Sequence, residues 1–452
     1  MLSDKLAFEE FKKIISIKTP AVFSSFRAEI IIPKKKPIIM TKFMFKRTIG
    51  DFTSNAADII IVGCQIPPAT YQDEILPHKH ELQMRIQRSY KDDQGHDVKS
   101  IPTETTTYDA VLTDPLDLDA MSMGDKNKFR LNWQNSGLFN ITFQLVETTF
   151  SEIRLKEVSG IYPETTLQQL VKTLLTPELR NNGTVDHLKR REYSGVRGVD
   201  IVPFNNQKKY SQVPVDGGTR IVKLVNYLQE SKGLYGTGSN GYYQEGMWYV
   251  YPLFDTSRFT QTKKTLTVIV LSKDDGNSFE KTFIRKGDKV TIMSTGGSEI
   301  ADESMSTGLN HGDSLKFQRA SDMDKMVVTS ENKATGRPDK TTKAMTIEKT
   351  TSGRQNVAQA PTKFTDNPFK ELTKIAPGKG QVIRVRWESA DIRLLYPGMP
   401  VRVIFAGPDK AVRSDGVLLG IDALEAPGSG LLTDRHFVTL VSLVIHVEKK
   451  RY

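Results

Sequence analysis

Gly236-Thr237-Gly238-Ser239-Asn240-Gly241 matches the G-x-G-x-x-G spacing with which a glycine loop can cradle a pyrophosphate. That chemistry needs a strand before the glycines and a helix after them, because the phosphates sit on the helix N-terminus. Here a helical pattern precedes the run and an aromatic-dense strand pattern follows it. The run therefore reads as a flexible tip or hairpin loop, and with no Gly-Lys-Ser/Thr after it a P-loop is excluded. Asp114, Asp117 and Asp119 could offer oxygens to Ca²⁺. Met121 stands where a third ligand belongs, however, and Ser122 where the EF-hand needs glycine, so the run reads as a solvated acidic loop.

His78 and His80 would share one side of a strand with Glu81 close by, but no third ligand with zinc spacing accompanies them. The remaining histidines, His96, His187, His311, His436 and His446, are scattered. Cys64 ends the apolar run Ile59-Ile60-Ile61-Val62-Gly63 and carries no nucleophile signature, nor does a G-x-S-x-G elbow occur; it reads as a small buried side chain at a strand end. Asn182-Gly183-Thr184 fits the glycosylation sequon and reads as a turn. No catalytic, cofactor-binding or metal-ligating residue is expected, and no cofactor.

Lys34-Lys35-Lys36, Lys189-Arg190-Arg191 and Lys449-Lys450-Arg451 could neutralise phosphates. They fall in different segments without interleaved aromatics, so they read as solvated charge or a charged subunit interface. Tyr242, Tyr243, Trp248, Tyr249 and Tyr251 could bind a sugar or peptide; core or oligomer interface is the default for such a group.

The elements that would position these residues belong to a chain of 452 residues, 38 % hydrophobic and 26 % charged. At roughly 150 residues per domain that length gives about three domains. The net charge of +10 is diluted over this length, and a single cysteine excludes both an intrachain disulfide and a thiolate zinc cluster. No window approaches the roughly 20 apolar residues of a membrane span. Met1-Leu2-Ser3-Asp4-Lys5 reads as the start of an amphipathic helix, carried on by Phe8, Phe11 and Ile15, without the apolar region of a secretory signal.

Strand patterns follow. Residues 28–32 and 38–45 are β-rich runs separated by Pro33-Lys34-Lys35-Lys36-Pro37, while Leu82, Met84 and Ile86, and then Phe139, Ile141, Phe143 and Leu145, alternate with polar residues. Such alternation marks an antiparallel sheet wetted on one face. The class changes at Thr166, which with Gln169 forms a capping box opening a helix striped by Leu167, Leu170, Val171 and Leu174. A second helix, striped by Ile221, Leu224, Val225 and Leu228, is expected to be capped by Thr219 and ended by Gly233. Residues 266–271 and 279–284 read as a hairpin about the turn Asp274-Asp275-Gly276-Asn277. Residues 329–370 lose their aliphatics and read as an extended or mobile connector. A last β module begins near Val382 and ends in a run over 437–447 that is apolar on both faces and hence central.

This order, with Val215-Asp216-Gly217-Gly218-Thr219-Arg220-Ile221, Gly246-Met247-Trp248-Tyr249-Val250-Tyr251-Pro252 and Tyr396-Pro397-Gly398-Met399-Pro400-Val401, resembles the baseplate central hub of contractile-tailed bacteriophages. The resemblance implies a mainly β, multi-domain fold with an α/β insertion and tail-tube-like antiparallel β-barrel or sandwich modules. Its expected partition is 1–155 for an N-terminal helix and first tube-like module and 156–260 for the insertion. A middle β region follows at 261–328, a polar connector or arm at 329–375 and a C-terminal β module at 376–452. It implies a non-enzymatic structural protein of the virion, assembled in the host cytoplasm into the tail baseplate. There a homotrimer would join the sixfold tail tube to the threefold central spike. The implied partners are the tail tube protein, the central spike protein and baseplate wedge proteins, with genomic DNA passing through without sequence-specific binding and no membrane insertion. Three alternatives stay open: another baseplate, neck or tail-tube-associated protein, a modular nucleic-acid- or carbohydrate-binding protein, or an enzyme, which turnover destroyed by mutating one carboxylate or histidine would revive.

Overall fold

The computed structural model describes residues 23–40, 43–91, 96–98, 103–113, 138–176, 196–270, 282–294, 296–301, 329–332, 337–340, 367–406, 411–427 and 437–448. The helix expected over 8–15, the 114–119 acidic run, the 182–184 sequon, the basic clusters at 189–191 and 449–451, the 274–277 turn and most of the 329–370 stretch lie outside the described residues.

Seven strands come first: β1 (Phe23–Ile31), the short β2 (Ile38–Ile39), β3 (Phe43–Asp51), β4 (Ile59–Ile66), β5 (Gln83–Lys91), β6 (Glu104–Thr113) and β7 (Phe139–Glu147). Their pairings are antiparallel, and the period-two pattern sends alternate side chains inward. Ala28 and Ile30 of β1, Val62 and Cys64 of β4, Met84 of β5 and Phe143 and Leu145 of β7 meet in one buried core.

The insertion follows. After α1 (Thr148–Ile153), β8 (Glu157–Thr166) leads into α2 (Leu167–Leu175) through the expected capping box: Gln169 N–H donates to Thr166 Oγ1 and the Gln169 side chain accepts from Thr166 N–H, both at 3.3 Å. Next come β9 (Gly198–Ile201), β10 (Lys209–Arg220), α3 (Leu224–Ser231), β11 (Ser239–Gln244) and β12 (Met247–Pro252). The second helix begins later than its stripe suggests. Thr219 does not cap it: this residue pairs with Val158 as part of β10, its hydroxyl donates to the Asp216 carbonyl, and a 3₁₀ turn over Ile221–Lys223 intervenes. The ladder to β8 continues through a bulge between Val215 and Thr219, and that long-range pairing outcompetes the local cap. Leu167, Leu170, Val171, Leu224, Val225 and Leu228 bury against Tyr243, Trp248 and Val250 of the hairpin β11–β12, forming a second core.

The remainder is β13 (Thr265–Val270), β14 (Phe283–Lys286), β15 (Lys289–Ser294), β16 (Gly296–Ala301), the paired β17 (Thr329–Asn332) and β18 (Arg337–Lys340), α4 (Lys370–Ile375), β19 (Gly380–Glu388), β20 (Pro400–Ala406), β21 (Ala411–Pro427) and β22 (Phe437–Glu448). The hairpin expected between 266–271 and 279–284 is not formed among the described residues. Instead β13 lies parallel to both β15 and β20, and β14 turns back antiparallel onto β15. β13 is buried nearly throughout, as suits a central parallel strand with both faces covered. The sheet is therefore mixed rather than antiparallel.

Two long strands tie the fold together. β22 pairs along almost its whole length with β21 from Gly416 to Pro427. The second half of β21 also pairs with β3, and the start of β22 bridges to β1 through Phe437 and Ser24. The first group thus closes as a ring, β21–β3–β4–β7–β6–β5–β1–β22 and back to β21. The first half of β21 pairs with β20 and the rest of β22 with β19, so the same two strands also form one wall of a second barrel-like sheet over a third core that includes Val268, Val403, Trp387 and Leu443. Its seam is stitched where Trp387 Nε1–H donates to Thr282 Oγ1 at 3.0 Å and the Thr282 hydroxyl donates to the Glu388 carbonyl at 2.8 Å.

Candidate functional site at the joint of the three cores

Where the two barrels and the insertion meet, ionisable side chains are gathered that strands alone would keep apart. Arg47 of β3 donates to Asp58 Oδ2 from Nη2 at 2.7 Å and from Nε at 3.2 Å, and its Nη2 also reaches Glu245 Oε1 at 3.3 Å. Glu245 occupies the tip of the β11–β12 hairpin, where φ of 49° at Glu245 and 80° at Gly246 makes a primed turn that aims the carboxylate at the barrel. The loop between β3 and β4 grips the same hairpin. Tyr242 donates to Asp58 Oδ1 at 2.9 Å, Tyr251 to the Phe52 carbonyl at 3.2 Å and Asn240 Nδ2 to the carbonyls of Phe52 and Asn55, while Tyr243 N–H donates to Ala56 O at 2.7 Å. On the other side Tyr243 OH donates to Glu147 Oε1 at 3.0 Å.

A second set lies beside it. Arg88 of β5 pairs with Glu425 of β21 and spreads its guanidinium 4.6 Å from the centre of the Phe26 ring. Arg393 is forked onto Asp391 at 2.7 and 2.9 Å, reaches Glu104 at 3.1 Å and lies over Tyr90. Arg47, Arg88, Glu104, Tyr108, Glu245 and Glu425 line a cavity of about 60 Å³. That is room for a few waters, well short of the roughly 300 Å³ from which small-molecule sites begin.

The electrostatics are those of a fastening. Burial opposes the Arg47 charge, but Asp58 and Glu245 more than offset it and hold the guanidinium well above its usual value. Burial pushes the Asp58 carboxyl up, and Arg47 and Tyr242 pull it back only in part. Burial opposes the Arg88 charge too, and Glu425 outweighs it. Tyr108, half-buried on the same lining, is pushed up to about 12 by desolvation. Each buried carboxylate of the two pairs thus faces an arginine, which cannot take a proton at working pH, and neither histidine nor cysteine lines the cavity.

The structure places the other candidates elsewhere. Ser239, Asn240 and Gly241 of the glycine run are buried in β11, so the run is half strand rather than a loop tip. His78 and His80 lie on a 3₁₀ turn and the turn that continues it, not on a strand. Among the described residues no group of three His, Cys, Asp or Glu could hold a metal ion, and no helix is long and apolar enough to cross a membrane. Cys64 is buried, and desolvation pushes its thiol up to about 12. Lys34, Lys35 and Lys36 are exposed at the turn after β1. Of the aromatic group, Tyr242, Tyr243, Trp248 and Tyr251 are core residues, and Tyr249 stacks on Tyr396 with ring centres 6.0 Å apart. The stretches around 246–252 and 396–401 therefore touch. Arg258 fastens them further, its Nη1–H donating to Gly398 O at 3.2 Å.

No family model and no curated protein sequence matches this chain. Among solved structures it is similar to a tail protein from Neisseria meningitidis MC58, at 10 % identity and a TM-score of 0.38 over 93 % of this chain and 96 % of that one. It is similar to the 43 kDa tail protein of prophage MuSo2 from Shewanella oneidensis, at 10 % identity and a TM-score of 0.41 over 94 % and 96 %. It is also similar to an Escherichia coli component of the type VI secretion system that exhibits structural similarity to the T4 bacteriophage tail proteins gp27 and gp5, at 9 % identity and a TM-score of 0.33 over 97 % and 76 %. At these TM-scores the backbones superpose only in part.

Proposed function

We propose that this chain is a structural protein of a phage-type tail baseplate: a hub subunit that joins a sixfold tail tube to a threefold central spike as a homotrimer. The observation that carries the reading is the closed barrel and the second barrel-like sheet built on the shared strands β21 and β22. Three copies of a chain with two barrels can present a ring of six, which matches a sixfold tube on one side while keeping threefold symmetry on the other. The joint supports the same role, since Arg47 ties the first barrel to the insertion through Glu245 and Arg393 ties the C-terminal module to the first barrel through Glu104.

On this reading the tube, spike and wedge proteins are its partners, the DNA passes through unread, and the chain resides in the tail baseplate after assembly in the host cytoplasm. The partition at 155, 260, 328 and 375 belongs to the same proposal, with β21 and β22 serving both barrels. Electron microscopy of the chain mixed with its tube protein tests it. Rings with pseudo-sixfold density on the tube side and threefold density on the other are expected; particles without rotational symmetry would contradict it.

A further inference from the structure

The strand register gives the first barrel two unlike ends. The joint occupies the end at which β5 reaches Arg88 and β7 reaches Glu147. At the opposite end β1 leaves into the lysine turn, β4 leaves into the helical segment 68–78, and β5 and β7 enter; the pairs Ile31 with Gln83, Glu29 with Ile39 and Ile66 with Phe139 place all of these on one rim. Ile32, Met40, Ile75 and Leu82 are buried there and close the core. Three large apolar side chains nevertheless remain outside it: Ile39 at 56 % exposure, Leu76 at 43 % and Phe139 at 41 %. Phe139 is held edge-on against Tyr71 with ring centres 5.8 Å apart. Beside them Lys34, Lys35 and Lys36 are exposed and make no ion pair among the described residues. The helical segment and the bend after it carry Lys79 against Asp73, Glu74 and Glu81, so the positive charge is concentrated in the lysine turn.

We propose that this barrel end is a docking surface for a different protein, one that presents an apolar centre with acidic side chains around it. Exposed apolar residues flanked by unpaired cations have the anatomy of a protein interface, in which the apolar groups are desolvated and the rim charges select the partner. Phosphate binding would use the lysines but leave Ile39 and Leu76 without a role. A second copy docked face to face through the same end would bring two lysine turns together, a like-charge contact that disfavours this twofold pairing and leaves the threefold contacts of the proposed trimer untouched. The inference stands on these residues and does not depend on the virion reading.

The full chain is titrated against a short fluorescent peptide of alternating Glu and Leu, the same peptide with Lys in place of Glu, a fluorescent DNA duplex and anionic phosphatidylglycerol vesicles. The Glu–Leu peptide is expected to bind tightest. Its dissociation constant should rise about tenfold or more in K34E/K35E/K36E and in L76S/F139S, as expected when rim charge or apolar contact is lost, with the melting temperature unchanged. The lysine variant, confined to an exposed turn, decides the matter where the apolar variant melts early. Tighter binding to DNA or to vesicles, no binding of the Glu–Leu peptide, or affinity unchanged by the lysine variant would each overturn the proposal.

Discussion

Arg88 and Glu425 form a buried ion pair although 337 positions separate them in the chain. One belongs to β5, on the far wall of the first barrel, and the other to the half of β21 that closes it. The pair therefore forms only when the C-terminal strands have joined the N-terminal sheet.

Removing one partner strands the other charge in the core. Glu425→Ala is expected to cost about 3–5 kcal/mol in urea unfolding, whereas Arg88→Met combined with Glu425→Leu should recover most of that loss. A single-variant cost below about 1 kcal/mol would mean that the pair is solvated in the folded protein.

Gly398 sets the approach of the second barrel to the insertion. Its φ is 70°, and the Tyr251 ring packs where a Cβ would stand. Gly398→Ala should lower stability by at least about 2 kcal/mol through left-handed strain and overpacking together, with a matching fall in the midpoint of thermal or urea unfolding.

His446 makes stability depend on pH. Burial lowers its pKa below the usual 6.5, and the hydrogen bond to the Pro377 carbonyl offsets this only in part. The unfolded chain thus takes up the proton first as pH falls. The neutral ring's contribution is complete above about pH 6.5 and is lost as pH drops toward the lower folded value. Urea midpoints measured across this range should decline, and His446→Gln should flatten that part of the curve.

Cys64 offers a probe of opening. Buried in the first core with its thiol pushed up to about 12, it should resist aromatic disulfide reagents in the native state and react at the rate of unfolding. Rapid labelling of native protein would show that β4 leaves the barrel readily.

Local pattern made several elements legible in the sequence. The Thr166–Gln169 capping box, the alternation of Leu82, Met84 and Ile86 and the doubly apolar run over 437–447 each rest on interactions within a few residues or on the apolar pattern of one strand. The parallel placement of β13 could not be read, because a short apolar strand looks the same beside β15 and β20 as in a hairpin. Nor could the joint: Arg47, Asp58 and Glu245, or Arg88 and Glu425, carry no shared spacing and meet only through tertiary register. Only Glu425, set between Leu424 and Ala426 in an apolar strand run, leaves a trace in the sequence, and that signal also fits a solvated face.

The central claim is that the chain works as one third of a ring. Its most direct test is the mass of the purified chain by light scattering, in the presence and absence of its tube partner. Three times the 50.8 kDa chain mass for the chain alone, or three chains plus the bound partner once it is added, is the expected result; a single-chain mass that persists at high concentration with the partner present would contradict it.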